Sequence, residues 1–300
     1  MAKVSVIIAT HSRPQLLPRA VESAFKSGTD VEVVVVDDAS KDETAAVCRS
    51  LPEIKYVRLE RNQKTAGARN VGIMASTAPY ITFLDDDDWR LPDCLDTQVQ
   101  ILDKSPEIGL VYGQVYQADQ QGNILDFPPS PPVCPEGDIF WDILTYFFIP
   151  NQSTVFRKSC LSGIGLLDAS LPGTDDWDLW IRIAELYPVA SLENPVAVWR
   201  RPTQASAQGT SNMTELLRLA TEAFRNKWSK LPRFADAPKE KREEIRRLFA
   251  RNIGRRMIED VYQTVGFAES LKRFCVVMKY FPSCSTDLYT YKVIASKVIA

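Results

Sequence analysis

Four consecutive aspartates, Asp85 to Asp88, follow the apolar run Tyr80 to Leu84, and a second pair, Asp37-Asp38, follows the run Val31 to Val36. Adjacent carboxylates repel one another, so a turn built from four of them is stabilised when a cation enters. The Asp37-Asp38 pair reads equally well as an N-cap ahead of a helix near Asp42. Hard oxygen donors with no histidine or thiolate nearby select Mg²⁺ or Mn²⁺, and Mg²⁺ usually binds through one or two carboxylates plus substrate phosphates. A phosphate ester is the implied ligand. The turn Gly67-Ala68-Arg69-Asn70 adds backbone donors and a guanidinium suited to phosphate oxygens, although a plain capped helix explains it too. Histidine chemistry is nearly excluded, because His11 is the single histidine and a Ser-His-Asp triad would have to use it. Six scattered cysteines without a Cys-x-x-Cys pair argue against thiolate zinc and against a disulfide framework.

Those carboxylates need strand ends to hold them. Up to about residue 104, β-branched runs alternate with amphipathic stretches: strands at 4–9, 31–36, 54–59 and 80–84, and helices at 14–26, 42–50, 66–76 and 92–104. This βαβ rhythm predicts a parallel, doubly wound sheet with right-handed crossovers. Ligands of such sheets sit outside the carboxyl ends of the strands, where Thr10-His11-Ser12-Arg13, Asp37-Asp38-Ala39-Ser40 and Asp85 to Asp88 would converge. From Gly109 the pattern becomes strand, turn, strand, and a hairpin is expected over 110–118 and 124–127. A proline-rich loop, a helix at 138–148, a strand at 153–156, a helix at 176–187 and a strand at 189–199 follow. Beyond Gly209 only helical patterning remains, with apolar stripes at Ile245, Leu248, Phe249, Ile253 and Met257 and at Leu271, Phe274, Cys275 and Met278.

The chain has 300 residues, 45% of them hydrophobic and 25% charged, which suits a soluble globular protein with a sizeable core. No run reaches a membrane span, and the start does not resemble a signal peptide, so the cytoplasm is the expected compartment. The net charge of -2 hides an asymmetry. Through Thr210 there are 18 Lys+Arg against 28 Asp+Glu, and beyond it 18 against 10. An acidic first part suits metal binding. The basic tail supports two readings, plain packing on its own domain or peripheral contact with an inner membrane face. The expected division is 1–209, with a nucleotide-binding half at about 1–104 and an acceptor half at about 105–209, then a helical extension at 210–300.

Five segments in order resemble the family 2 glycosyltransferases of the GT-A fold: Ala9-Thr10-His11-Ser12-Arg13, Asp37-Asp38-Ala39-Ser40, Ala68-Arg69-Asn70-Val71-Gly72, Leu84-Asp85-Asp86-Asp87-Asp88-Trp89 and Asp175-Asp176-Trp177-Asp178-Leu179-Trp180. The likeness covers roughly residues 3–200. It implies an α/β, mostly parallel, Rossmann-related sheet flanked by helices. It further implies that Thr10 and Asp38 hold the nucleobase, that Ser12, Arg13 and Arg69 lie near the nucleotide, and that Asp85, Asp86 and Asp87 form an Asp-x-Asp site. Asp87, with Asp85, would ligate Mn²⁺ or Mg²⁺, and Asp176 would be the catalytic base of an inverting transfer. The donor would be a nucleotide sugar, UDP-linked by family base rate, and the acceptor a hydroxyl on a glycan, a lipid-linked sugar or another molecule; no nucleic-acid partner is expected. A histidine that many relatives carry after the last strand is replaced here by Arg200-Arg201, either of which could clamp phosphate. A sugar-phosphate nucleotidyltransferase and a receiver-like regulatory module are the alternatives.

Overall fold

Strands rich in valine and isoleucine, buried on both faces, set the architecture of the computed structural model, which describes residues 2–51, 53–145, 147–202, 212–263 and 267–282. β1 (Val4–Thr10), β2 (Val31–Asp37), β3 (Lys55–Arg58) and β4 (Tyr80–Asp85) pair in parallel, joined through α1 (Leu17–Lys26), α2 (Thr44–Ser50) and α3 (Lys64–Ala75). After β5 (Trp89–Arg90) and α4 (Cys94–Lys104) come β6 (Leu110–Ala118), α5 (Phe140–Leu144), β7 (Val155–Arg157), α6 (Leu161–Ile164), α7 (Asp175–Leu186) and β8 (Val189–Arg200). The eight-stranded sheet runs β3-β2-β1-β4-β7-β6-β8-β5.

Direction decides where the site lies. β7 is antiparallel to both β4 and β6, and β6 is parallel to β8. The carboxyl ends of β1, β2, β4, β6 and β8 therefore open on one edge. The expected βαβ half and its strands are present, within one to three residues at most boundaries.

The expected hairpin is not. The turn after β6 closes, with Gly122 N–H donating to Asp119 O at 3.1 Å, but the returning chain makes only isolated bridges, Ala118 to Ile124 and Val115 to Ser130. Four prolines between 128 and 132 deny the ladder its donors, so no second strand can extend. The helix expected at 138–148 likewise shrinks to Phe140–Leu144.

The chain forms two compact units, one up to Phe140 with Phe148–Arg201, the other Trp141–Phe147 with the chain from Pro202 onward. The boundary expected at 209 falls outside the described residues. Within the second unit are α8 (Met213–Asn226), α9 (Pro232–Ala235), α10 (Lys239–Gln263) and α11 (Phe267–Tyr280). Phe224 stacks on Phe249 at 4.2 Å and meets Phe234 edge-on at 5.8 Å. Ile245, Phe249, Ile253 and Met257 are buried, as their spacing predicts. The stripe expected on α11 is not the buried one: Leu271 and Cys275 are exposed and Val277 is covered. Among the described residues no helix is long and apolar enough to cross a membrane.

α3 approaches the sheet so closely that only glycine fits at one point. A Cβ on Gly72 would stand 2.3 Å from Ile7 Cγ2 and 3.3 Å from Val36 Cγ2. Gly72→Ala should therefore cost about 1–3 kcal/mol through overpacking. Chemical denaturation reads this directly, and a wild-type midpoint would mean that α3 is free to shift.

Candidate active site

The acidic turn begins where β4 ends, because β4 delivers Asp85 to the open edge and the chain must turn there to enter β5. Its four carboxylates point to different partners. Asp85 accepts from Arg69 Nη2 at 2.6 Å. Asp86 accepts from the Thr10 hydroxyl at 2.7 Å and from Arg13 Nη1 at 3.0 Å. Arg13 Nη1 also lies 3.1 Å from Asp87, and Arg200 Nη1 stands 4.0 Å away. Asp88, fully buried, accepts the backbone N–H of Arg200 at 2.7 Å, which ties the end of β8 to the turn.

Burial is the main cause that raises the carboxyls of Asp86, Asp87 and Asp88. Asp87 reaches about 7, with the charges of Asp85 and Asp86 adding to burial while Arg13 and Arg200 oppose it. Burial likewise raises Asp86, against Arg13 and Thr10. Asp88 is raised well above the ordinary range, next by Asp87.

A second acidic pair arrives from α7. Arg69, nearly buried in α3, bridges the two groups: Nη2 binds Asp85 and Nη1 binds Asp175 at 3.1 Å. Asp175 is thus locked. Asp176, partly exposed, accepts only the N–H of Trp177 among the described residues, at 2.7 Å, and burial of its carboxyl beside Asp175 raises it to about 7. Arg182 fixes this helix start from behind, holding Asp178 at 2.8 Å and the carbonyls of Ile164 and Leu166 at 2.5 and 3.0 Å. Phe83, Phe156 and Trp180 pack beneath with ring centroids 5.6–6.3 Å apart.

On the other flank, the loops after β1 and β2 hold each other. Ser12 N–H donates to Ser40 Oγ at 2.9 Å, and Ser40 N–H to Asp37 at 2.8 Å. His11 Nδ1 donates to the Asp38 carbonyl at 2.7 Å. Ser12 and Ala39 both sit in the left-handed region, at φ 56° and 61°, a strain that surrounding bonds must hold. One Asp38 oxygen takes the Gln63 N–H at 2.6 Å.

A sequence profile described as glycosyl transferase family 2 matches residues 5–161, just over half of the chain. The chain belongs to that family. Among curated relatives, an uncharacterised glycosyltransferase of Rickettsia felis is 28% identical over 228 residues, 74% of this chain and 38% of its own length. One from Methanocaldococcus jannaschii is 28% identical over 213 residues, 67% of this chain and 71% of its own. The chain therefore spans well under half of the Rickettsia protein. Crystal structures of S. aureus TarS 1-349, alone and in complex with UDP-GlcNAc, superpose with TM-scores of 0.62 and 0.63 at 19% and 16% identity. They cover 93% of this chain and 81% and 82% of their own, and share the GT-A-like fold.

For this family 2 chain, the donor set fits a divalent cation of limited protein ligation. The oxygens are hard, and the carboxylates of the turn outnumber the nearby arginines. Among the described residues no group of three or more His, Cys, Asp or Glu side chains forms a closed metal cage. Asp85, Asp86 and Asp87 all meet arginines here, Arg69 at Asp85 and Arg13 at Asp86 and Asp87, so an ion at this turn would share these carboxylates with the guanidinium groups and take its other ligands from phosphate.

The sequence pattern singled out Thr10, Ser12, Arg13, Asp38, Arg69, Asp85, Asp86, Asp87 and Asp176, and all lie at this edge. Three of them carry unexpected duties: Thr10 and Arg13 brace the acidic turn, and Arg69 is spent on two aspartates. What the pattern missed is the buried frame under the site. Arg90 donates to Thr82 and the Gln152 carbonyl, both at 2.8 Å, and Gln98 donates to the Ser153 carbonyl at 2.7 Å. Arg90 and Gln98 are eight residues apart on a strand and a helix, and only their near-complete burial marks them.

Removing Arg69 would leave Asp175 as a buried, uncompensated charge. Arg69→Gln should cost about 3–5 kcal/mol, with Arg69→Lys recovering only part because one ammonium cannot fork to two acids. Urea denaturation measures both. Equal stability of the Gln variant and the wild type would show that the bridge holds nothing.

Proposed function

We propose that the chain is an inverting glycosyltransferase that moves a sugar from a UDP-linked donor to an acceptor hydroxyl with Asp176 as general base and Mg²⁺ or Mn²⁺ assisting. The observation that carries this reading is the Arg69 bridge. It holds the acidic turn and the start of α7 together through one side chain, so a leaving group at Asp87 and a base at Asp176 face one crevice. S. aureus TarS, of similar fold, has been crystallised in complex with UDP and with UDP-GlcNAc, which supports the same donor class for this chain.

Asp38, at the end of β2, keeps one oxygen without a hydrogen bond among the described residues; it accepts a uracil imide N–H, with Thr10 beside it. Ser12 and Arg13 border the same pocket on the phosphate side. Asp87, with Asp85, is the side from which a metal is held, and a bound ion supplies charge stabilisation to the departing diphosphate. Asp176 removes the proton of the acceptor hydroxyl as that oxygen bonds the anomeric carbon. The bond from that carbon to the diphosphate oxygen breaks with its electron pair, and UDP leaves from the opposite face. Asp175 cannot exchange roles with its neighbour, because Arg69 fixes it.

A base raised to about 7 is protonated below that pH and active above it. Turnover should fall as pH drops through about 7, tenfold per unit well below it. Asp176→Asn should lower kcat by about 10²–10⁴-fold and leave UDP affinity nearly unchanged. The readouts are UDP release from UDP-sugars and calorimetric UDP binding. Full turnover by Asp176→Asn, or a product of retained anomeric configuration, overturns the mechanism.

Asp87→Ala and chelation by EDTA should each abolish most turnover, with added Mn²⁺ restoring only the chelated wild type. An enzyme indifferent to EDTA removes the metal from the scheme.

A further inference from the structure

Beside the acidic crevice, at the carboxyl ends of β6 and β8, lies an open groove of about 400 Å³ lined by Gln117, Phe127, Ser130, Arg201 and three prolines of the 128–132 segment. Phe127 is 49% exposed, and the Arg201 guanidinium lies over its ring at 5.6 Å. The backbone of Arg201 is fixed from both sides, donating its N–H to Ala118 O at 2.9 Å and accepting from Gln120 Nε2. Across the 119–123 turn stands a second arginine of the same kind. Arg19 stacks on Trp89 at 3.5 Å, and the turn presses so near that a Cβ on Gly122 would lie 2.3 Å from its Nη1.

These two guanidinium groups differ from the five of their unit that stand beside aspartates. Arg13, Arg58, Arg69, Arg182 and Arg200 each stand within 4.0 Å of an aspartate. Arg19 and Arg201 make neither an ion pair nor a side-chain hydrogen bond among the described residues, in a stretch with 28 acids against 18 bases. Each lies over an aromatic ring, at 3.5 Å for Arg19 and 5.6 Å for Arg201, a placement in which a guanidinium can still donate from its edge. Stacked rings and prolines offer apolar faces to sugar C–H surfaces, and a free guanidinium edge suits a carboxylate or phosphate.

We propose that this groove is the acceptor subsite and that it takes a glycan chain bearing anionic groups, whose charges Arg19 and Arg201 read while Phe127 and the prolines pack against the sugar rings. The proposal rests on the transferase reading above. A neutral acceptor would gain little from the two guanidinium groups, whereas an anionic one meets a charge of opposite sign at each.

The test is calorimetric titration of the full chain, in UDP and Mn²⁺, with oligogalacturonate and with maltooligosaccharide of matched length. Oligogalacturonate should bind and weaken with added salt, and maltooligosaccharide should not bind. Arg201→Gln and Arg19→Gln should each weaken oligogalacturonate roughly tenfold or more, and Lys26→Gln, at an exposed lysine paired with Glu22, should not. Melting temperature checks folding, and Arg201, exposed at the surface, carries the test alone if Arg19→Gln unfolds. Equal binding of both glycans, wild-type binding by Arg201→Gln, or no oligogalacturonate binding while UDP binds normally overturns the proposal. Loss of UDP binding by the wild type would instead defeat the transferase reading beneath it.

Discussion

Six carboxylates have to share one edge of the sheet, and the positions of the arginines decide whether they can. Asp85 to Asp88 arrive on β4 and Asp175 and Asp176 on α7. Without compensation their mutual repulsion would force the two elements apart. Arg69 prevents this by standing between them, nearly buried, with one nitrogen on each side. Because Arg69 belongs to α3, its position depends in turn on how closely that helix lies on β1 and β2. The close contact at Gly72 and the ion pairs at Arg69 are thus parts of one constraint: the same helix turn that must touch Ile7 also presents the guanidinium to both acids.

The compensation is deliberately incomplete in chemical terms. Arg13 serves Asp86 and Asp87 together, and Arg200 reaches Asp87 only at 4.0 Å. Burial then leaves Asp87 and Asp176 near 7. A fully neutralised cluster would fold more readily and do less. Local stability is given up where the chemistry sits, as the strained backbone at Ser12 and Ala39 also shows.

Much of this was legible in the sequence because it obeys local rules. Parallel strands buried on both faces read as unbroken Val and Ile runs, and the residues after them must face the ligand edge. The segments carrying Thr10, Asp38, Arg69, Asp85 to Asp88 and Asp176 could be found for that reason. The failures are non-local. Nothing in the string Pro92 to Lys104 announces that Gln98 supports Ser153, because the partner comes 55 residues later. The hairpin after Ala118 looked sound by alternation, yet prolines further along removed the donors it needed. On α11 the apolar spacing was correct and the buried face was not, since a helix with two apolar flanks does not declare which one its neighbours will cover.

The end of the last strand joins the acidic turn to the neighbouring groove. Arg200 donates its backbone N–H to Asp88 and its guanidinium to Gln120, whose side-chain amide in turn holds the Arg201 carbonyl. The acidic turn, the 119–123 turn and the arginine of the groove are therefore linked by three consecutive hydrogen bonds. An imidazole there would lose its charge near neutral pH, while a guanidinium keeps it throughout. That permanence matters beside carboxyls that titrate near 7. The anchor of the neighbouring turn is made by the Arg200 guanidinium on Gln120 and does not involve the Asp87 carboxyl.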